Sequence, residues 1–149
     1  MASLVYTSFL ADVFNGNVNT THSFKAILTT GDHIINRLHT KRSQITNELP
    51  TGNGYTQGGA AISVSVSTNT STHETTLTVG AVSWPSSSLV ARQLHVSRSR
   101  GGAASADELV CVIENTSNGV PADLVSSNST MAWNAPTPAT WKIPLPPPV

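Results

Sequence analysis

Between Ala61 and Ser67 the chain alternates strictly, with Ile62, Val64 and Val66 on one parity and Ser63, Ser65 and Ser67 on the other. Successive side chains of a strand point to opposite faces, so this pattern specifies a ribbon with one apolar and one polar face, not a helix. Residues 75–82 repeat the rhythm with Leu77 and Val79 on the apolar parity, and Asn69-Thr-Ser-Thr-His73 between them has the polar composition of a turn. Together the two segments predict a β-hairpin.

The same reading extends along the chain. Residues 24–30 predict a strand with Phe24, Ala26 and Leu28 on one side and Lys25, Ile27 and Thr29 on the other. Residues 89–97 and 108–114 predict two more, joined by a glycine-containing loop, and a last strand runs through residues 130–133. Near the N-terminus, Val5, Phe9 and Val13 form one i, i+4 ridge and Tyr6, Leu10 and Phe14 the next, which predicts a short helix with Ser3 as N-cap. Gly16 stands where a left-handed glycine would stop it. Residues 30–59 form a long connection carrying Ile34, Ile35, Leu38 and Ile45, and loops of that length in a compact domain usually serve function or assembly. The expected fold is mainly β: a single antiparallel β-sandwich or small barrel over residues 1–134 with one short N-terminal helix. Residues 135–149 are proline-rich and predict an extended C-terminal arm.

Composition narrows the function. The 149 residues carry eight basic and eight acidic side chains, for no net charge, while Ser, Thr and Asn supply about a third of the chain. Nucleic-acid binding needs clustered Lys and Arg, and the two short pairs here, Lys41 with Arg42 and Arg98 with Arg100, read as solvated loops. No nucleic-acid partner is expected. Cys111 is the single cysteine and lies in the apolar run Leu109-Val-Cys-Val-Ile113, so it reads as a buried small hydrophobe. The N-terminal stretch has no basic flank and the chain no run long enough to span a bilayer, so the expectation is cytoplasmic synthesis without a membrane partner.

Catalytic patterns are sparse. His33 and His39 are six apart, His22 and His73 sit in Ser/Thr-rich segments and His95 lies in a strand; none has metal-ligand spacing, and surface histidines are expected. No G-x-S-x-G elbow occurs. Asp107 and Glu108 open a strand and are expected on opposite faces. Gly52, Gly54, Gly58 and Gly59 lack a following Lys-Ser/Thr, so they read as turn residues, not a phosphate cradle. The expectation is a protein without enzymatic activity, cofactor or metal. Trp84, followed by Pro85, reads as a plug at the core edge, whereas Trp141 between prolines reads as an interface anchor. The candidate interface residues are therefore Trp141, Pro144, Pro146, Pro147, Pro148 and Val149.

Several blocks taken in succession carry a resemblance. They are Tyr6-Thr-Ser-Phe-Leu10 with Gly16-Asn17, Phe24-Lys-Ala-Ile-Leu-Thr29, Thr46-Asn-Glu48, Gly52-x-Gly-Tyr-Thr-x-Gly-Gly59, Ala81-Val-Ser-Trp-Pro85 and Ala91-Arg92. Their order over about residues 4–115 resembles a family of small virion structural proteins of tailed bacteriophages, either head-decoration (cement) or minor structural components. The proline-rich end departs from that family's more ordinary final strand. The resemblance implies a β-rich module located in the virion after synthesis in the host cytoplasm, with no active-site residues to carry over. The implied partners are the major capsid protein and further copies of the chain itself, in a symmetric homo-oligomer with a trimer as the expected form. A tail-associated receptor- or glycan-binding module, stacking sugars on Tyr55 and Trp84, is the alternative. Low charge suits either place, because it limits repulsion between closely packed copies.

Overall fold

The computed structural model describes residues 1–134 and 137–142. The strands are β1 (Ala2–Val5), β2 (Phe24–Thr29), β3 (Ala60–Ile62), β4 (Val64–Asn69), β5 (Glu74–Val79), β6 (Val82–Ser87) and β7 (Val90–Ala91). They continue with β8 (Gln93–Arg98), β9 (Leu109–Glu114), β10 (Thr116–Ser117), β11 (Val120–Pro121), β12 (Leu124–Val125), β13 (Ser129–Trp133) and β14 (Ala139–Lys142). One α-helix, α1 (Phe9–Phe14), follows β1. The protein is mainly β, built of several antiparallel sheets, and none of them closes into a barrel among the described residues.

The largest sheet has the order β1-β9-β8-β2-β3. Inside it lies β9, whose Leu109–Ile113 are all buried, as a continuous apolar run requires when both faces are covered. One face carries Phe24, Ala26, Leu28, Leu94, Val96 and Ile113 into the main core, where they meet Leu77, Val79, Trp84, Met131 and Trp133 from the smaller sheets. On the other face Tyr6, Leu109 and Val112 are covered by Leu4, Ile35 and Ile45. The long connection after β2 is thus a lid over the outer face of the main sheet, and it explains why a strand such as β8 buries Gln93, His95 and Ser97 on its polar parity.

The predicted hairpin is present: β4 and β5 pair from Val64↔Val79 to Asn69↔Glu74. The uninterrupted alternation through Ser63, however, conceals a change of sheet. β3 pairs with β2 and β4 with β5, and the chain crosses between them at Ser63, where Gly80 N–H donates to the Ser63 carbonyl at 2.9 Å. A side chain on Gly80 would collide with Ser63. Val66, expected inward, is 48% exposed, because the core face runs out beyond Val64.

The N-terminal expectation needs correction. Ser3 caps no helix; residues 2–5 form β1, paired with β9 from Ala2↔Glu114 to Val5↔Cys111, and the helix begins only at Phe9. A short isolated helix gains little, whereas a strand docked on β9 satisfies backbone groups and buries Tyr6 beside it. Phe9 is buried while Phe14 is 87% exposed, so the predicted apolar stripe is mostly unburied. Gly16, at φ +76°, does end the helix region in the left-handed conformation. Gly59 (φ +79°) is equally constrained: a Cβ there would collide with the backbone of Ala26.

A further strand, at residues 139–142, lies in the segment read as an arm. β14 pairs with β5 from Ala139↔Leu77 to Lys142↔Glu74. Among the described residues no helix is long and apolar enough to cross a membrane.

Candidate functional site

Two features stand out: a buried polar layer beneath the lid, and a cleft between the N-terminal segment and β14. The polar layer begins at Tyr6, whose hydroxyl donates to His95 Nδ1 at 2.7 Å. Thr29 Oγ1 donates to Gln93 Oε1 at 3.0 Å, so its oxygen is left to accept from His95 Nε2 at 3.2 Å. Gln93 Nε2 in turn donates to the His33 carbonyl at 3.0 Å and to Glu114 Oε1 at 3.3 Å. Each ring nitrogen of a neutral His95 therefore has a partner of the right sense. Thr46 N–H donates to His33 Nδ1 at 3.3 Å, which puts the proton of neutral His33 on Nε2.

The expected surface histidines are thus partly an internal cluster. His95 is fully buried and His33 nearly so; their rings meet edge to face with centroids 4.8 Å apart, and His39 lies 6.3 Å from His33. Burial, then the neighbouring His33 and His39, push the His95 pKa well below the usual imidazole value. Burial and then His39 lower His33 as well. Burial raises the Tyr6 hydroxyl above the usual tyrosine range. Among the described residues no three His, Cys, Asp or Glu side chains are placed to hold a metal ion.

A second correction concerns the charges. Lys41 and Arg100 remain part-exposed, at 35% and 36% of their side-chain surface, but together with Arg42 they are paired with buried acids and are not free in solvent. Arg42 Nε binds Asp107 Oδ2 at 2.9 Å, while Lys41 Nζ at 3.0 Å and Arg100 Nη2 at 2.8 Å share Glu108 Oε1. Asp107 and Glu108 are each 2% exposed. Burial alone would raise the Glu108 carboxyl, but hydrogen bonds from Arg100 and Lys41 overcome it and bring the pKa down to about 2. The ion pairs fasten the lid to the start of β9. Arg98 reaches the Asn17 carbonyl, tying β8 to the segment after α1.

The cleft has a volume of about 400 Å³ and is lined by Ser3, Tyr6, Thr7, Leu10, Arg37 and Trp141, among others. Trp141 is half-buried in β14 and stacks on Phe9, with ring centroids 6.2 Å apart and 21° between planes. It is held within its own domain while still lining the opening. The other candidate interface residues, Pro144, Pro146, Pro147, Pro148 and Val149, lie outside the described residues. Tyr55 and Trp84 cannot stack on a sugar from the surface: they are 2% and 5% exposed and pack on each other with centroids 5.8 Å apart. The Tyr55 hydroxyl accepts from Leu28 N–H and donates to Glu48. Trp84 is the core plug that its sequence context indicated, and Cys111 is fully buried, its thiol pushed up to about 12 by burial.

Large exposed apolar side chains occur on α1 and on the lid, and also at Met1, Val66, Val90, Val120 and Val125. Leu10 (42%), Val13 (39%) and Phe14 (87%) lie on α1, and Ile34 (84%) and Leu38 (73%) project from the lid. No family model matches the chain, and no curated protein or solved structure matches it.

Proposed function

We propose that the chain is a non-enzymatic virion structural protein: a capsid decoration (cement) protein that binds the major capsid protein lattice and stabilises the head. The observation that supports this best is the surface. Phe14, Ile34 and Leu38 are each more than two-thirds exposed, at 87%, 84% and 73%, while three of the eight cations are drawn into pairs with two buried acids. Apolar side chains displayed on a weakly charged domain favour protein contact over phosphate contact. The succession of blocks from Tyr6 to Arg92 supplies the virion context. Within this reading the main sheet and the smaller sheets face one another across the common core as a sandwich, and self-association is part of the assembly.

The runner-up, a tail-associated receptor- or glycan-binding module, loses Tyr55 and Trp84 but keeps the Trp141-lined cleft, where Arg37, Ser3 and Thr7 supply polar groups beside an indole. Quantitative mass spectrometry of purified particles separates the two. Lattice-scale copy numbers are expected for decoration, and a count matching a tail assembly overturns it. Deleting residues 144–149 is expected to lower occupancy on the particle; full occupancy would remove this segment from the attachment.

A further inference from the structure

The three-stranded sheet β14-β5-β4 ends in β4, whose outer edge has no strand partner among the described residues. Natural edge strands are blunted by brevity, charge, proline or bulges. β4 has none of these. It is six residues long, Val-Ser-Val-Ser-Thr-Asn, and its pairing with β5 runs through all six without a register shift. β1 and β14, which also lie at sheet edges, have four residues each, and β14 carries Lys142.

The apolar face adds a second observation. Val64 and Val66 share a parity with the buried core, and Val66 sits opposite the fully buried Leu77, yet it is 48% exposed. Beside it opens an apolar hollow of about 200 Å³ lined by Phe9, Val13, Val18, Phe24 and Leu77. The core therefore continues to the sheet edge without being closed there.

We infer that β4 is a self-association edge, at which the β4 strands of two copies pair antiparallel about a two-fold axis normal to the sheet, with Val66 opposite Val66. Directly opposed residues in an antiparallel pair point to the same face, so this register also sets Ser65 against Ser67 and Val64 against Thr68. The outward N–H and C=O groups of one strand then meet those of an identical strand, the self-complementarity that a two-fold contact requires. No charge faces its own image across the axis. Three strands from each copy make one continuous sheet, and the two exposed Val66 side chains cover each other. A second copy fits this edge better than the chain's own C-terminal segment. Pro144, Pro146, Pro147 and Pro148 have no N–H to donate to a ladder.

This rests on the self-association in the proposed function, replaces the trimer expected from the sequence with a two-fold pair, and is tested on the free chain, so its failure leaves the particle-binding reading standing. Sedimentation velocity of the full chain is expected to show a monomer–dimer equilibrium. Val66→Lys, with its fold checked by circular dichroism, is expected to weaken the dimer at least tenfold. Val66→Cys provides a second readout, because opposed Cα atoms lie about 4.5–5.5 Å apart, within disulfide range. Oxidation is expected to give a covalent dimer with Val66→Cys and not with Asn69→Cys, which falls outside the paired register. A chain that stays monomeric, a trimer, or a dimer indifferent to Val66→Lys would overturn the inference.

Discussion

The polar layer under the lid predicts a loss of stability in mild acid, and the structure fixes its sign and scale. His95 is fully buried, satisfied as a neutral ring by Tyr6 and Thr29, and flanked by His33 at 4.8 Å. Its folded pKa lies well below the ordinary value, so between the two the unfolded chain binds a proton that the native protein refuses. Stability from this group is fully present above about pH 6.5 and declines as pH falls below it toward the folded pKa. The slope approaches about 1.4 kcal/mol per pH unit for a histidine held neutral throughout, which sets an upper bound of ~2 kcal/mol between pH 7.5 and pH 5 for His95 alone. His33, shifted in the same direction, adds to it. Against a typical domain stability of about 5–15 kcal/mol this is a large fraction. Urea unfolding at the two pH values is the assay, and the midpoint is expected to fall by about 1 M at pH 5. His95→Gln keeps a donor and an acceptor at the position but cannot titrate. It is expected to cost stability at pH 7.5 through imperfect packing and to flatten the dependence. A wild-type midpoint that does not move, or a variant that retains the full wild-type slope, would refute the reasoning.

Glu108→Gln is expected to cost about 2 kcal/mol at pH 7. The depression from 4.5 to about 2 corresponds to roughly 3 kcal/mol, and the partial exposure of Lys41 and Arg100 reduces it. That contribution is present above about pH 4.5 and is lost as pH falls through about 2, so the variant's deficit, measured by denaturant unfolding, should shrink on acidification. Cys111, buried and with its thiol pushed up to about 12, is expected to react with a thiol reagent only as fast as the chain opens. Rapid stoichiometric labelling of the native protein would contradict its place in the core.

Much of the β framework was legible because alternation and apolar runs are direct images of burial. Leu109–Ile113 announced a buried strand, and Leu77 and Val79 announced the inner face of the hairpin. What failed was anything that depends on the partner and not on the segment. Ala2–Val5 has a helical spacing of apolar residues with Phe9 and Val13, but the open edge of β9 decides its state. The switch at Ser63 preserves period two, so no pattern in the strand marks it; the residue that hydrogen-bonds it, Gly80, lies in a different segment. Trp141 looked stranded because proline surrounds it, yet residues 139–142 contain no proline and could join β5.

The histidine layer and most of the acid pair's partners escaped for the same reason, distance along the chain: 62 residues separate His33 from His95, 67 separate Lys41 from Glu108, and 89 separate Tyr6 from His95. A signal did exist. β8 alternates Leu94 and Val96 with Gln93, His95 and Ser97, and the preceding long connection carries Ile35 and Ile45, too apolar for a solvated loop. A polar strand face and an apolar loop in one small domain imply that the loop covers the face. The polar face then needs internal partners, and the lid supplies one through the His33 carbonyl, His33 itself being held by Thr46. The same lid leaves Ile34 and Leu38 on its outer side. Its inner anchoring by neutral histidines and ion pairs consequently fixes the placement of the apolar residues it displays. If those residues touch a partner, agents that loosen the anchor, acid above all, should weaken that contact without altering either side chain in it.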